Sequence, residues 1–168
     1  PDPESKRLVP WANESTGQII HDCFTKDGEP HPFSSRNVLK RVLALYEKDG
    51  LRPIIAPEME FYLVEKNPNP GLPLKPPIGR SGRPETARQS YSIDAANEFE
   101  PFVERMYGYC EAMNLDIDTH IHESGAAQIE VNFTHGEPLS LADQVLNFKM
   151  HLTHIGRCRA PPPCVSLS

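Results

Sequence analysis

Apolar residues recur along this chain with two kinds of spacing, and each kind predicts a different element. Helical spacing occupies residues 38–46, where Gly50 follows as a stop signal, and about 95–114; a third helix begins near Leu139. Strand-like segments are predicted at 58–64, 115–121 and 128–133, with two further ones at 8–12 and 17–24. The resulting order, strand, strand, helix, strand, helix, strand, strand, helix, indicates an α+β fold.

Proline interrupts this pattern in two places. Many of the 18 prolines lie in 67–77 and in 160–163, and because proline cannot donate a ladder hydrogen bond, both segments are predicted to be loop or tail. Residues 66–90 form a long polar loop, and a loop of this length in a compact domain is usually functional or disordered. Its arginines are predicted to be solvated rather than to bind phosphate: Arg80, Arg83 and Arg88.

Composition narrows the class of protein. With 168 residues, 38% apolar and 24% charged, the chain is long enough for one domain with a hydrophobic core. Its net charge of −6 argues against nucleic acid or an anionic membrane as a partner, and no stretch reaches the roughly 18 apolar residues of a membrane span. The chain starts without Met or a signal-peptide layout, so we expect it to begin inside a larger protein. Its four cysteines show no CxxC spacing, which favours free thiols in a reducing cytoplasm.

Acidic residues in two segments carry the strongest chemical signal. Glu58 and Glu60 are two apart on a predicted strand and therefore project from the same face. Gln128 and Glu130 do the same on a second strand, and Glu123 precedes them across a Gly-Ala loop. Carboxylates gathered beside apolar residues repel one another unless a cation neutralises them, and an oxygen-only set without thiolates suits Mg²⁺ or Mn²⁺. We therefore predict a metal-dependent phosphoryl-transfer site, in which the amide Gln128 hydrogen-bonds a ligand rather than binding metal.

Histidines offer a competing interpretation. His120 and His122 alternate with Ile121 on a predicted strand, so both could face one site and bind zinc, as in a metal-dependent hydrolase. Zinc sites usually have a third His or Cys ligand close by, and none is near in the sequence, which disfavours this alternative. His151 and His154 are three apart on the third predicted helix and are expected to be surface residues.

The acidic segments also resemble a known family. Residues 58–63, Glu-Met-Glu-Phe-Tyr-Leu, are followed by a helix and then by residues 122–132, His-Glu-Ser-Gly-Ala-Ala-Gln-Ile-Glu-Val-Asn, which is similar to the catalytic domain of glutamine synthetases. Shorter segments resemble that family's approach to its first metal strand: 8–12, 27–28 and 36–40. The Glu-x-Gly-x-x-Gln-x-Glu-x-Asn pattern, together with residues 117–119, is most similar to the branch that contains γ-glutamylputrescine synthetase.

That resemblance implies a mostly antiparallel, curved sheet with flanking helices, in a metal-dependent enzyme that joins an amine to glutamate. In the family, ATP phosphorylates the γ-carboxylate of glutamate, and ammonia or a polyamine such as putrescine then displaces the phosphate. The resemblance further implies a cytoplasmic homo-oligomer built of stacked rings.

The resemblance also implies a role for individual residues of this chain. Glu60, Glu123 and Glu130 resemble the ligands of the metal that holds glutamate, and Glu60 and Glu123 would also orient this substrate. Glu58 resembles a ligand of the second metal, which acts at the ATP phosphates. Asp118 falls where the family places an acidic residue near the nucleotide.

The resemblance covers about residues 7–150 and then ends. We expect residues 1–153 to form a partial catalytic domain, truncated on its C-terminal side, and 154–168 to be an irregular tail from a shifted reading frame or an artificial junction. Since the family's remaining ligands and most nucleotide contacts would lie beyond this point, we expect the 168-residue chain alone to be inactive. The alternative is a non-catalytic binding or structural protein that keeps the fold.

Overall fold

The structure, a computed structural model, describes residues 1–155 and the backbone of 164–167, and its strands pair in antiparallel fashion. In chain order the strands are β1 (Arg7–Leu8), β2 (Gly17–Gln18), β3 (Glu58–Val64), β4 (Ile117–His122), β5 (Gln128–Phe133) and β6 (Cys164–Leu167). The helices are α1 (Ser35–Lys48), α2 (Ile93–Asn97), α3 (Glu100–Ala112) and α4 (Pro138–Ile155), after a 3-10 turn at Pro3–Ser5. Strand β1 pairs with β2, and the other strands form one sheet in the order β4-β5-β3-β6, which confirms the predicted α+β fold. Among the described helices, none is long and apolar enough to cross a membrane.

Helices α3 and α4 cover one face of the main sheet. Phe61 of β3 packs against Phe102 of α3 and Phe148 of α4, with ring centroids 5.9 and 6.5 Å apart. Ile129 and Val131 of β5 are buried in the same cluster. Full burial of a side chain of this size contributes about 1.5–3 kcal/mol, so this face holds the sheet and helices together.

Besides the strand expected at 8–12, which shares only Leu8 with β1, two predicted elements differ from the structure. The helix expected at 95–114 is divided into α2 and α3, because Pro101 lacks an N–H to continue the helical hydrogen bonds and instead occupies the first turn of α3. The strand expected at 17–24 ends at Gln18, and Phe24 forms only an isolated bridge to Pro30. Both errors arise where apolar spacing continues past a change in backbone direction.

The C-terminal segment also departs from the prediction of an irregular tail from residue 154. Helix α4 continues to Ile155, and β6 pairs with β3 along Phe61–Val64. The prediction is therefore wrong at these two places, whereas 156–163 and Ser168 lie outside the described residues. The domain boundary at 153 and the origin of the tail stay predictions.

Helix α1 is tied to the N-terminal segment and to α4 by charged side chains. Arg36 donates to Asp143 at 2.9 Å and to Asp22 at 2.6 Å, and it also hydrogen-bonds Asp2. Four of the six apolar side chains that predicted this helix remain 40–59% exposed, Val38, Val42, Leu45 and Tyr46, whereas Leu39 and Leu43 are half-buried. The apolar spacing predicts the helix correctly, but that stripe is not covered by the described residues.

The prediction that His151 lies at the surface is wrong. Its side chain is fully buried, with its ring 6.2 Å from Trp11 and 5.3 Å from Tyr109. Burial, and to a lesser extent the charge of His154, lower the pKa of His151 to about 4. His154 itself is half-buried, with its ring stacked on Trp11 at 5.1 Å.

Candidate functional site

The face of the main sheet opposite α3 and α4 gathers most of the predicted acidic residues. Its cross-strand pairs between β3 and β5 are Glu58–Asn132, Glu60–Glu130 and Tyr62–Gln128. Side chains alternate along a strand, so these residues project away from the helices that cover Phe61 and Ile129. Directly opposed side chains in an antiparallel pair have their Cβ atoms about 4.5–5.5 Å apart, which places Glu60 beside Glu130. Glu58, Glu60, Glu123 and Glu130 are called the acidic face below.

Glu130 is the most buried member of the acidic face, at 8% exposed. Its pKa is raised, first by burial and then by the charges of Glu58, Glu123 and Glu60, although a hydrogen bond from Asn132 lowers it in part. The charges of the other three predicted metal ligands therefore all act on Glu130. A carboxylate in this position is stabilised by a nearby cation.

Gln128 connects the two strands at one end of the acidic face. Its Nε2 donates to Glu60 Oε2 at 2.6 Å, while its Oε1 accepts from Tyr62 Oη at 3.0 Å and from Gly125 N–H at 2.8 Å. These contacts hold one oxygen of Glu60, so the other oxygen remains able to bind a cation. They use one N–H donor and both acceptor positions of the amide oxygen, and an ionised carboxylate could not supply the donor.

Residues 123–127 join β4 to β5 and are called the acidic turn below. Glu123 N–H donates to Gln128 O at 2.8 Å, and the Glu123 carboxylate accepts from Ser124 N–H at 3.1 Å. A Cβ on Gly125 would lie 2.6 Å from both Gln128 Oε1 and Tyr62 Oη, so any other residue would have to displace these side chains. The Gly-Ala sequence therefore brings the backbone of the turn close to Gln128.

Asp118 and His120 lie apart from the acidic face. Asp118 falls in the register shift between Ile117 and Thr119, and its charge acts on Tyr107 of α3. Burial raises the pKa of Tyr107 most, and the charges of Cys110 and Asp118 add to the effect. His120 Nδ1 lies 3.0 Å from Tyr107 Oη, and burial lowers the pKa of this histidine.

His122 is buried on the helix-facing side and has a partner that sequence reasoning missed. Its Nε2 lies 2.7 Å from Oε1 of Glu85, a residue of the long loop between β3 and α2. Loop residues show no periodicity, so the only sequence signal for Glu85 was the unusual length of the loop. Elsewhere in this loop, Arg80 pairs with the exposed Glu100 at 2.9 Å.

The acidic face has the donor chemistry for a hard divalent cation. Its side chains are all carboxylates, and none of them forms an ion pair with a basic side chain of the described residues. Among those same residues, however, no three His, Cys, Asp or Glu side chains converge closely enough to hold a metal ion. The charge and chemistry fit a cation, while ligation would require these side chains to rotate inward. The finding also leaves the zinc alternative without a ligand set in the described part of the chain.

Comparison with known proteins identifies a family that the chain resembles. A family described as the catalytic domain of glutamine synthetase matches residues 32–159. The match continues past residue 150, so our expectation that the resemblance ends there is wrong. The glutamine synthetase of Pyrococcus horikoshii is 32% identical over 148 residues, which are 88% of this chain and 30% of that protein. The glutamine synthetase of Mycolicibacterium smegmatis is 29% identical over 154 residues, 89% of this chain and 32% of that protein.

Solved structures are similar in fold. Apo GmaS without ligand superposes with a TM-score of 0.73 at 24% identity, covering 93% of this chain and 35% of the other. A novel glutamine synthase homolog gives a TM-score of 0.70 at 23% identity, covering 94% of this chain and 34% of the other. The chain thus spans about a third of the length of the proteins that it matches.

Proposed function

The chain belongs to the glutamine synthetase family, and on this premise we propose that it supplies part of the catalytic site of an ATP-dependent glutamate–amine ligase. The observation that carries the proposal is the acidic face, where burial and the charges of Glu58, Glu123 and Glu60 raise the pKa of Glu130. A carboxylate surrounded in this way favours a divalent cation, and phosphoryl transfer depends on such cations.

Each member of the acidic face has a proposed role. Glu60, Glu123 and Glu130 bind the Mg²⁺ or Mn²⁺ that holds glutamate, and Glu58 binds a second ion at the ATP phosphates. Bound cations would supply neutralisation of phosphate charge and in-line placement of the reactants. Glu60 and Glu123 orient the substrate, and the hydrogen bond from Gln128 to Glu60 at 2.6 Å supports this role by restricting the Glu60 carboxylate.

The proposed reaction has two steps. The γ-carboxylate of glutamate bonds to the terminal phosphorus of ATP, and ADP leaves with the electrons of the broken phosphoanhydride bond. The amine nitrogen then bonds to the acyl carbon and loses a proton, and inorganic phosphate leaves. Asp118, which is exposed on β4, is proposed to contact the nucleotide.

The acceptor and the assembly are further parts of the proposal. The relatives named glutamine synthetase support ammonia as the acceptor, whereas the resemblance at residues 117–119 supports a polyamine such as putrescine. We further propose a homo-oligomeric ring in the cytoplasm, without a nucleic-acid or membrane partner. Because the chain spans about a third of its relatives, we expect the 168-residue chain alone to show no turnover.

Phosphate release from ATP tests the proposed activity. The assay contains glutamate, Mg²⁺ or Mn²⁺, and either ammonia or putrescine, and it compares the 168-residue chain with a longer chain that carries native flanking sequence. We expect turnover in the longer chain only, acceleration by the true acceptor amine, and loss of turnover in Glu130→Gln. A longer chain that binds metal but releases no phosphate would instead support the non-catalytic alternative.

A further inference from the structure

A buried carboxylate outside the acidic face connects the long loop to the acidic turn. The Glu85 side chain is 5% exposed and that of His122 is 0% exposed, although Glu85 belongs to a loop. Glu85 Oε1 lies 2.7 Å from His122 Nε2 and accepts a hydrogen bond from Ala127 N–H at 2.8 Å. One oxygen atom therefore contacts both the residue before the acidic turn and the last residue of that turn.

Neighbouring contacts extend this attachment. His122 Nδ1 lies 2.7 Å from the carbonyl oxygen of Glu123. Tyr91 N–H donates to His122 O at 2.8 Å, and Ser90 Oγ lies 3.0 Å from Ser124 Oγ. The loop thus follows the acidic turn from its start to its end, with Glu85 at the buried side.

The burial of Glu85 is not explained by packing alone. A buried carboxylate loses its hydration, and Glu85 Oε2 has no hydrogen-bond partner among the described residues. An apolar side chain of similar size would fill the same space without this penalty. Ala127 also has a positive φ of 54°, a conformation that costs about 1–3 kcal/mol outside glycine and persists only where surrounding contacts hold it.

We propose that Glu85 is a positioning residue that holds the acidic turn so that Glu123 and Glu130 face one cation. The inference rests on the proposed function and extends it to a residue that touches neither metal nor substrate. Glu85 acts by fixing His122, which precedes Glu123, and Ala127, which ends the turn. Replacing a group that orients a metal ligand in this way lowers the affinity for the metal.

Titration of the 168-residue chain with Mn²⁺, followed by calorimetry, tests the role of Glu85. Glu85→Ala is expected to weaken Mn²⁺ binding about 10–100-fold, the usual effect of losing a group that orients a ligand. Glu85→Gln should retain most of the affinity, because its amide oxygen can still accept from Ala127 N–H. The matched control is Glu98→Ala, which removes a hydrogen bond to Ser81 N–H of the same loop at 2.9 Å and should leave the affinity unchanged.

A structural role without positioning gives a different pattern. If Glu85→Ala lowers the unfolding temperature but binds Mn²⁺ as tightly as Glu98→Ala, the proposal is overturned. If Glu85→Ala does not fold, Glu85→Asp is used instead, since aspartate keeps the charge but is too short to reach both partners. Wild-type affinity for Mn²⁺ in that variant would also overturn the proposal. Failure of the proposed function itself is distinct: the wild-type chain would then bind no Mn²⁺, or would bind it equally well after Glu130→Gln, and both inferences would fall.

Discussion

Alternate residues of β3 and β5 build two surfaces with opposite properties. Toward α3 and α4, Phe61 and Ile129 are fully buried in an apolar cluster. On the other side, Glu60 and Glu130 oppose each other, and burial and neighbouring carboxylates raise the pKa of Glu130. The same strand pairing thus produces one surface that stabilises the fold and another that destabilises it. The difference suggests that the acidic face is retained for chemistry rather than for stability.

The comparison is tested most strongly by truncating neighbouring residues of β3. Phe61→Ala should lower the free energy of unfolding by about 3–5 kcal/mol, because Phe61 packs against Phe102 and Phe148. Glu60→Ala, one residue away on the open face, should change it by no more than about 0.5 kcal/mol. Urea denaturation of both variants measures the difference. Equal losses of unfolding free energy would show that the two faces contribute equally to stability.

A titratable group within the packed side should make stability depend on pH. Burial lowers the pKa of His151 from 6.5 to about 4, so the unfolded chain takes up the proton first as the pH falls. The stability from neutral His151 is complete above pH 6.5 and is lost as the pH falls toward about 4, by up to about 3 kcal/mol. His151→Phe should flatten the dependence of unfolding free energy on pH in this window. The exposed His135→Gln is the control and should leave the slope as it is in the wild type.

Gly125 of the acidic turn lies close to two side chains, so replacing it should cause a smaller loss of stability than Phe61→Ala. Gly125→Ala should cost about 1–3 kcal/mol, because the new Cβ displaces Gln128 and Tyr62, which lie 2.6 Å from its position. Gly108→Ala is the matched control in α3, where nothing lies within 4 Å, and it should be neutral or stabilising by up to about 1 kcal/mol. Thermal unfolding of the two variants separates a local clash from a general effect of the substitution; similar losses would argue against the clash.

The smallest effect, and one of opposite sign, is expected at Glu130. A carboxyl whose pKa is raised in the fold destabilises the protein progressively as the pH rises above its ordinary value of 4.5. In EDTA at pH 7, Glu130→Gln should therefore be more stable than the wild type. The advantage should disappear below pH 4.5, where the wild-type carboxyl is protonated in both states. A destabilised variant at pH 7 would contradict the view that this face resists folding.

The strands of the acidic face could be predicted because their side chains repeat every two residues. The spacing of Glu58 and Glu60 places both on one face wherever the strand pairs, and the structure keeps that alternation. The face on which Asp118 lies could not be predicted in this way, because the pairing register shifts beside it and no spacing within β4 reveals that shift.

Contacts between distant segments were not accessible from the sequence. Glu85 lies in a loop, and its position against His122 depends on where the chain returns after α2 has formed. His151 has the spacing of a helix face, yet it is covered by Trp11 and by Tyr109 of α3, whose positions the spacing within α4 does not reveal. Local periodicity therefore identifies which residues share a face, and tertiary packing decides what that face meets.

Thermal unfolding with and without Mn²⁺ tests the central claim that the acidic face binds a divalent cation. Without the ion, Glu130→Gln should unfold at a higher temperature than the wild type. With saturating Mn²⁺, the wild type should gain stability and the variant should gain little, so that their order reverses, because a ligand stabilises only the state that binds it. Equal gains in both proteins, or no gain in either, would contradict the assignment of this face as the metal site.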